Sequence, residues 1–265
     1  MSFAVPDPAP AAARRKEARQ RAIVTVVRER GFASFEELAT RLSVTTQTIR
    51  RDVVDLEAAG LVRRYHGGAG LPTTVDAAYY NRRKVANVAG KRRIAARVAE
   101  LVPDGASLFL DAGTTMEAVA EALHGRRGLK AVTYNLRVAN LLAEAGEVSI
   151  AVPGGVVRNA DSSVFGEGAA TFLRRFRFDI ALIGVSGIDE EGMMLDDDYD
   201  EVELVRAAID QSRRVILATD ASKFGQGGLV CLGPATDVSV LVTDAEPPPA
   251  LARLLAAASV ELHVV

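Results

Sequence analysis

Residues 43–57 read Ser43-Val44-Thr45-Thr46-Gln47-Thr48-Ile49-Arg50-Arg51-Asp52-Val53-Val54-Asp55-Leu56-Glu57, a tight connection followed by a helix. Ile49, Val53 and Leu56 recur at helical spacing and form a core-facing stripe. Gly60 ends the run. Upstream, Ser34-Phe35-Glu36-Glu37 is a capping-box pattern that opens a short helix carrying Leu38 and Leu42. An earlier helix over Arg14–Arg30 places Ile23, Val26 and Val27 at the same spacing and stops at Gly31. Two short helices joined by a tight turn make a helix-turn-helix unit.

The outer face of the third helix indicates what such a unit would meet. Thr46, Gln47 and Arg50 lie near its N-terminal end, where a recognition helix reaches base edges. Gln pairs bidentately with adenine and Arg with guanine. Thr45, Thr48 and Arg51 suit phosphate oxygens. Leu61-Val62-Arg63-Arg64-Tyr65-His66-Gly67-Gly68 then reads as a basic strand and a turn, a wing whose Arg63, Arg64 and His66 lie beside a DNA backbone. The competing reading is a charged helix pair packed on a neighbouring domain. Charge favours DNA: residues 1–93 carry 18 Lys+Arg against 9 Asp+Glu, net +9. The rest carry 14 against 25, net −11, so a total of −2 conceals two unlike modules.

The second module alternates apolar runs (106–110, 131–133, 148–152, 180–185, 214–219, 238–243, 260–265) with helical patterns. That rhythm predicts a largely parallel sheet covered by helices, with ligands beyond the carboxyl ends of its strands. There the sequence places Asp111-Ala112-Gly113-Thr114-Thr115 ahead of a helix. Such a turn is either an anion cradle of free amides and hydroxyls or a plain Thr N-cap. It is neither a Walker loop nor a dinucleotide fingerprint. Gly154-Gly155, Gly184-Val185-Ser186-Gly187 and Asp220-Ala221-Ser222-Lys223 follow other strands. Lys223 could meet a phosphate or carboxylate, and Asp220 could accept a hydroxyl or anchor Lys223. The acidic run Asp196–Glu201 is either a solvated loop at a helix start or an acceptor set for ligand hydroxyls.

With one cysteine, Cys231, no internal disulfide or thiolate cluster forms. Its apolar run, Leu229–Leu232, predicts burial. Three scattered histidines have no metal-ligand spacing, so neither metal nor cofactor is expected. No membrane span or secretory signal is read, which predicts a cytoplasmic protein. The expected layout is a disordered lead-in (1–13), a winged helix-turn-helix (14–70), a linker (71–93) and a ligand-sensing domain (94–265).

The run Thr48-Ile49-Arg50-Arg51-Asp52 with the wing His66-Gly67-Gly68-Ala69 resembles the DeoR-type winged helix-turn-helix regulators. In this motif Asp52 is expected to position Arg51 or cap a local interaction. The second half resembles that family's sensor domain, an α/β fold like that of ribose-5-phosphate isomerase. Ile183–Asp189, Leu195–Val202, Asp220–Gly225 and Thr243–Pro249 carry that likeness. It implies a regulator, most simply a repressor, released from operator DNA by a phosphorylated polyol or sugar, glycerol 3-phosphate first among them. The expected effector set is Asp111, Gly113, Thr114, Thr115, Thr133, Asn135, Gly154, Gly155, Asp220 and Lys223. Position 134 departs from the family in carrying Tyr where Asn is common, which leaves Thr133 and Asn135 as the ligand candidates there. A homodimer or homotetramer is expected, since paired half-sites need paired readers. The alternatives are an isomerase-like enzyme with a fused DNA-binding module, for which no catalytic cluster is found, and a non-sensing architectural DNA protein.

Overall fold

The computed structural model describes residues 11–30, 32–59, 61–65, 67–70, 80, 83–144 and 146–265. Residues 1–10 of the expected lead-in, most of the connector (71–79, 81 and 82) and His66 lie outside the described residues. The chain divides into two compact units, Met1–Thr73 and Thr74–Val265.

In the first unit, helix α1 (Ala11–Arg30) leads into a short strand β1 (Phe32–Ser34), then α2 (Phe35–Arg41) and α3 (Thr46–Ala58). A hairpin of β2 (Arg63–Tyr65) and β3 (Gly68–Gly70) closes it. The helix takes in the last three residues of the expected lead-in. Ser34 caps α2 by accepting the Glu37 amide at 3.1 Å, and Thr45 caps α3 by accepting the Thr48 amide at 3.2 Å. Ile23, Val26, Val27, Leu38, Ile49, Val53 and Leu56 are buried together, as their spacing predicts. Strand β1 was not predicted; it pairs antiparallel with β3, giving the order β1-β3-β2. Three residues give too little alternation to announce a strand, so only the pairing with the wing reveals it.

The second unit is built on α4 (Val88–Glu100), β4 (Ser107–Leu110), α5 (Thr114–Ala122), β5 (Leu129–Thr133), α6 (Leu136–Glu144) and β6 (Val148–Ala151). A small hairpin, β7 (Val156–Val157) and β8 (Val164–Phe165), and α7 (Ala169–Leu173) follow. Then come β9 (Phe178–Ile183), β10 (Gly187–Ile188), β11 (Met193–Asp196), α8 (Tyr199–Ile209), β12 (Ser212–Ala218), β13 (Val230–Pro234), β14 (Val240–Thr243), α9 (Pro249–Ala257) and β15 (Glu261–Val264). Seven strands form one parallel sheet in the order β15-β14-β12-β9-β4-β5-β6. All seven coincide with the apolar runs read from the sequence. Two apolar cores pack on the sheet, one including Phe109, Ile183 and Leu217 and the other Leu108, Leu110 and Ile216. Alternate residues of one strand supply opposite faces, which is why the strands read as continuous apolar runs.

The order reverses between β4 and β9. In open parallel sheets such a switch point opens a crevice beyond the strand ends. A second sheet, β10-β11-β13, is antiparallel. It brings Asp196 to that crevice.

Two expectations are corrected. Cys231 is exposed rather than buried. On the short strand β13, side chains alternate, so Leu232 turns inward and Cys231 outward. The connector expected over 71–93 becomes ordered structure before its end. Tyr80 and Lys91 are buried, and α4 already starts at Val88.

Candidate functional site

Strand β4 ends at Leu110, and Asp111 follows it directly into the switch point. Its carboxylate accepts hydrogen bonds from the Ala112 amide (2.7 Å), the Gly184 amide (3.0 Å) and the Tyr134 hydroxyl (2.6 Å). Gly184 follows the neighbouring strand β9, so Asp111 ties the two diverging strands together. Burial nevertheless pushes its pKa up to about 6, against those three donors.

Gly113 comes next, at the N-cap of α5, with φ +103° and open space where a side chain would be. That backbone conformation favours glycine. No side chain caps this helix. The plain Thr N-cap reading therefore fails, since Thr114 and Thr115 are already inside the helix, and both line the cavity. Free amides, two hydroxyls and the positive end of a nine-residue helix together suit an anion.

A cavity of about 90 Å³ gathers the remaining groups. From the strand ends and loops it receives Asp111, Gly113, Thr114, Thr115, Asp220 and Lys223, six of the ten residues expected for an effector. Asp220 caps the turn Ala221–Lys223 by accepting the Ser222 amide at 3.0 Å, and so fixes the backbone that carries Lys223. Burial lowers the Lys223 pKa, and the nearby Arg83 cation lowers it further. An anion in the cavity would oppose both effects.

The other four expected residues do not line it. Thr133 and Asn135 are buried and satisfied internally. Thr133 accepts the Asn135 amide at 3.1 Å. Asn135 caps α6, its Oδ1 accepting from the amides of Arg137 (3.0 Å) and Val138 (3.1 Å). Gly154 and Gly155 lie beside the β7–β8 hairpin, where a Cβ on Gly155 would collide with the Phe165 carbonyl. Gly155 serves close backbone packing, whereas a Cβ on Gly154 would meet open space. Tyr134 shapes the site indirectly, as the buried donor to Asp111.

Several groups outside the expected effector set also reach the cavity. Arg83, Ala86 and Lys91 come from the expected connector, and Asp161 from the loop between β7 and β8. Asp196 and Glu201 come from the acidic run, whose solvated reading fails for these two residues. Burial raises Asp196 to about 6 and, with the Asp196 charge, Glu201 to about 8. Tyr199 and Asp200 of the same run are exposed, and Asp198 caps α8.

Behind this wall Arg158 binds three carboxylates. It meets Asp161 at 2.9 and 2.6 Å, Asp198 at 3.1 Å, and Glu201. Its guanidinium also stacks over Phe165 at 4.5 Å. No signal in the sequence marks Arg158, because Asp198 and Glu201 lie forty or more residues away.

On the first unit, Gln47, Arg50 and Arg51 of α3 are exposed, and Thr46 and Thr48 are partly so. Thr45 and Thr48 share a hydroxyl–hydroxyl bond at 2.9 Å. Arg50 lies over the Phe35 ring at 5.5 Å, which steadies a long side chain while its head stays outside. The Arg64 amide donates to Glu57 at 2.8 Å, tying the wing to α3. Arg63 sits in β2. Asp52 bonds Arg19 of α1, at 3.1 Å in its longer contact, a long-range pairing in place of the expected positioning of Arg51 or local cap. Asp52 is buried and Arg19 is the cation that α1 places against it.

Family models match both units. The DeoR-like helix-turn-helix domain covers residues 19–75 and the DeoR C terminal sensor domain residues 86–245. The chain belongs to the DeoR family. It is 41% identical over 246 residues to the glycerol-3-phosphate regulon repressor of Escherichia coli (strain K12), covering 93% of this chain and 98% of the relative. The protein of that name from Haemophilus influenzae is 44% identical, over 85% of this chain and 88% of its own. As a DeoR-family chain, this is a DNA-binding transcriptional regulator with a sensor domain of parallel α/β architecture. Among solved structures, ribose 5 phosphate isomerase A from Neisseria gonorrhoeae is 18% identical, covering 51% of this chain and 52% of its own at a TM-score of 0.39. Among the described residues no helix is long and apolar enough to cross a membrane, and no cluster of His, Cys, Asp or Glu could hold a metal ion.

Proposed function

We propose that this DeoR-family regulator represses transcription in the cytoplasm and leaves its operator when a small phosphorylated polyol, glycerol 3-phosphate first, enters the switch-point cavity. One observation carries the reading. The cavity combines an anion-binding set, the α5 N-terminus with Thr114, Thr115, Lys91 and Lys223, with the hydroxyl acceptors Asp111, Asp196 and Glu201. A phosphate ester with free hydroxyls satisfies both sets, whereas inorganic phosphate or glycerol satisfies only one. The size agrees: about 90 Å³ is far below the ~300–1,000 Å³ of sites for drug-sized ligands. The names of the two relatives point to the same compound.

On the DNA side, Thr46, Gln47 and Arg50 are assigned to base edges. Thr45, Thr48, Arg51, Arg63, Arg64 and His66 are assigned to the backbone. A homodimer or homotetramer would place two such helices on paired half-sites.

The test is operator binding by fluorescence anisotropy, with thermal unfolding in parallel. Glycerol 3-phosphate should release the DNA and raise the melting point. At 100 times its Kd a ligand bound only by the native state adds about 2.7 kcal/mol, roughly 5–11 °C for a domain of this size. Equal operator affinity with and without millimolar glycerol 3-phosphate or ribose 5-phosphate would refute release by an effector. Turnover of ribose 5-phosphate would favour an isomerase instead.

A further inference from the structure

The cavity wall includes a stretch of chain that begins ten residues after the boundary between the two units at Thr73. Arg83, Ala86 and Lys91 all line the cavity, and Tyr80 is anchored nearby. Two ties hold this stretch, and each ends on an element of the anion site.

The first tie is Lys91. Its ammonium donates to the main-chain carbonyls of Ala86 (2.8 Å) and Arg83. An ammonium has three donors, so two hold the strap formed by Arg83–Lys91 and one remains for the cavity. Burial lowers the Lys91 pKa, and the Lys223 and Arg83 cations add to the lowering. An anion placed among Lys91, Lys223 and the α5 N-terminus therefore acts on the same group that fastens the strap.

The second tie is Tyr80. Its side chain is buried, its hydroxyl donates to Glu117, and Arg137 lies over its ring at 4.5 Å. Glu117 stands one turn along α5 from Thr114, and its own amide bonds the Gly113 carbonyl at 2.9 Å. The helix that offers its N-terminus to the anion thus also holds the tyrosine.

We infer that Lys91 and Tyr80 are positioning residues that pass cavity occupancy to the chain leading into the DNA-binding unit. This rests on the functional reading above. The carriers are Lys91, shared between cavity and strap, and α5, shared between cavity and Tyr80. Coupling between two ligands is a reciprocal free energy, typically 5–150-fold in affinity. The inference locates that coupling in these ties and leaves effector affinity to the cavity itself.

The experiment uses the full chain, an operator fragment and glycerol 3-phosphate as probe. Two quantities are read: glycerol 3-phosphate affinity without DNA by calorimetry, and the ratio of operator Kd with and without saturating glycerol 3-phosphate. Tyr80→Phe should leave the first within about threefold of wild type and bring the ratio close to 1. Lys91→Gln should weaken glycerol 3-phosphate binding and reduce the ratio as well. If Tyr80→Phe does not fold, Arg137→Met, which removes the cation over the Tyr80 ring, takes its place with the same expected result. A wild-type ratio in a folded Tyr80→Phe or Arg137→Met chain overturns the inference and leaves the functional reading standing. A wild-type chain that does not bind glycerol 3-phosphate overturns the functional reading, and the inference with it.

Discussion

Arg158→Met removes the cation that three carboxylates share while keeping a side chain of similar reach. Asp161, Asp198 and Glu201 retain only 6%, 12% and 15% exposure, and Arg158 itself 13%. Breaking a buried pair by removing one partner costs about 3–5 kcal/mol, because the other charge is left uncompensated. At about 2–4 °C per kcal/mol for a unit of this size, the sensor unit should melt roughly 6–20 °C lower. The pH dependence has a definite sign. In the wild type, burial would raise Asp161, but Arg158 holds it below the ordinary carboxylate range. That contribution is present above the unfolded pKa and is lost as pH falls through the folded one. Glu201 is pushed up to about 8 despite Arg158, so its ionisation costs stability as pH rises from its unfolded value toward 8. Without Arg158 both folded pKa values rise. The folded variant then binds protons that the unfolded chain does not, and its deficit shrinks as pH falls. Urea unfolding followed by far-ultraviolet circular dichroism at pH 8 and pH 5.5 tests this, since the chain has no tryptophan to report by fluorescence. A loss below about 1 kcal/mol, or an equal loss at both pH values, would refute the reasoning. It would mean that the carboxylates are solvated as surface ion pairs are.

Three further outcomes are expected. Arg50→Ala should cost about 1–3 kcal/mol on one base pair of the operator and relax discrimination there; a uniform loss across unrelated sequences, read by anisotropy, would assign Arg50 to phosphate. Lys223→Met should weaken glycerol 3-phosphate by about 10–100-fold, the worth of one charge-assisted hydrogen bond at about 1.5–3 kcal/mol, with operator affinity unchanged in its absence; loss of DNA binding would instead mark a folding role. Tyr134→Phe removes a donor to Asp111, so the Asp111 pKa should climb beyond about 6. The stability cost of ionising Asp111 grows as pH rises toward its folded pKa, so the variant's calorimetric melting deficit should widen from pH 5 to pH 7. A gap that does not change with pH would mean that Tyr134 acts only through packing.

The seven parallel strands were legible because a strand buried on both faces must be apolar throughout, and helices between such strands force parallel pairing. The DNA-binding unit was legible because its signals are local: a capping box at Ser34, and a stripe of Ile49, Val53 and Leu56. The cavity was half legible. Gly113, Thr114, Thr115, Asp220 and Lys223 follow strand ends directly, where the sheet rule sends a reader. Thr133 ends a strand and Asn135 follows it, yet both turn inward: Thr133 accepts the Asn135 amide, and Asn135 caps α6, because an Asn ahead of a helix serves the helix before any ligand. Lys91 and Arg158 were illegible in that role for one physical reason. Each acquires its meaning from partners far away in sequence or from burial on a helix, and neither local pattern nor composition records that. The acidic run shows both outcomes within six residues, with Asp196 and Glu201 turned into the cavity and Asp200 left in water.

The net charge of −11 on the residues after 93 argues against an anionic ligand, and the structure removes the conflict. Fields from exposed carboxylates are screened within roughly 8–10 Å at physiological salt, so the surface excess contributes little inside a cavity. What acts there is the local set. Burial lowers the pKa of Lys91 and Lys223 and raises that of Asp111, Asp196 and Glu201. Burial therefore opposes charge of either sign on these groups. An arriving phosphate favours charged lysines and protonated carboxyls, and protonated carboxyls can donate to ligand oxygens as well as accept from hydroxyls. The same burial that makes these groups costly to hold in the folded chain is what lets an acidic domain receive an anion.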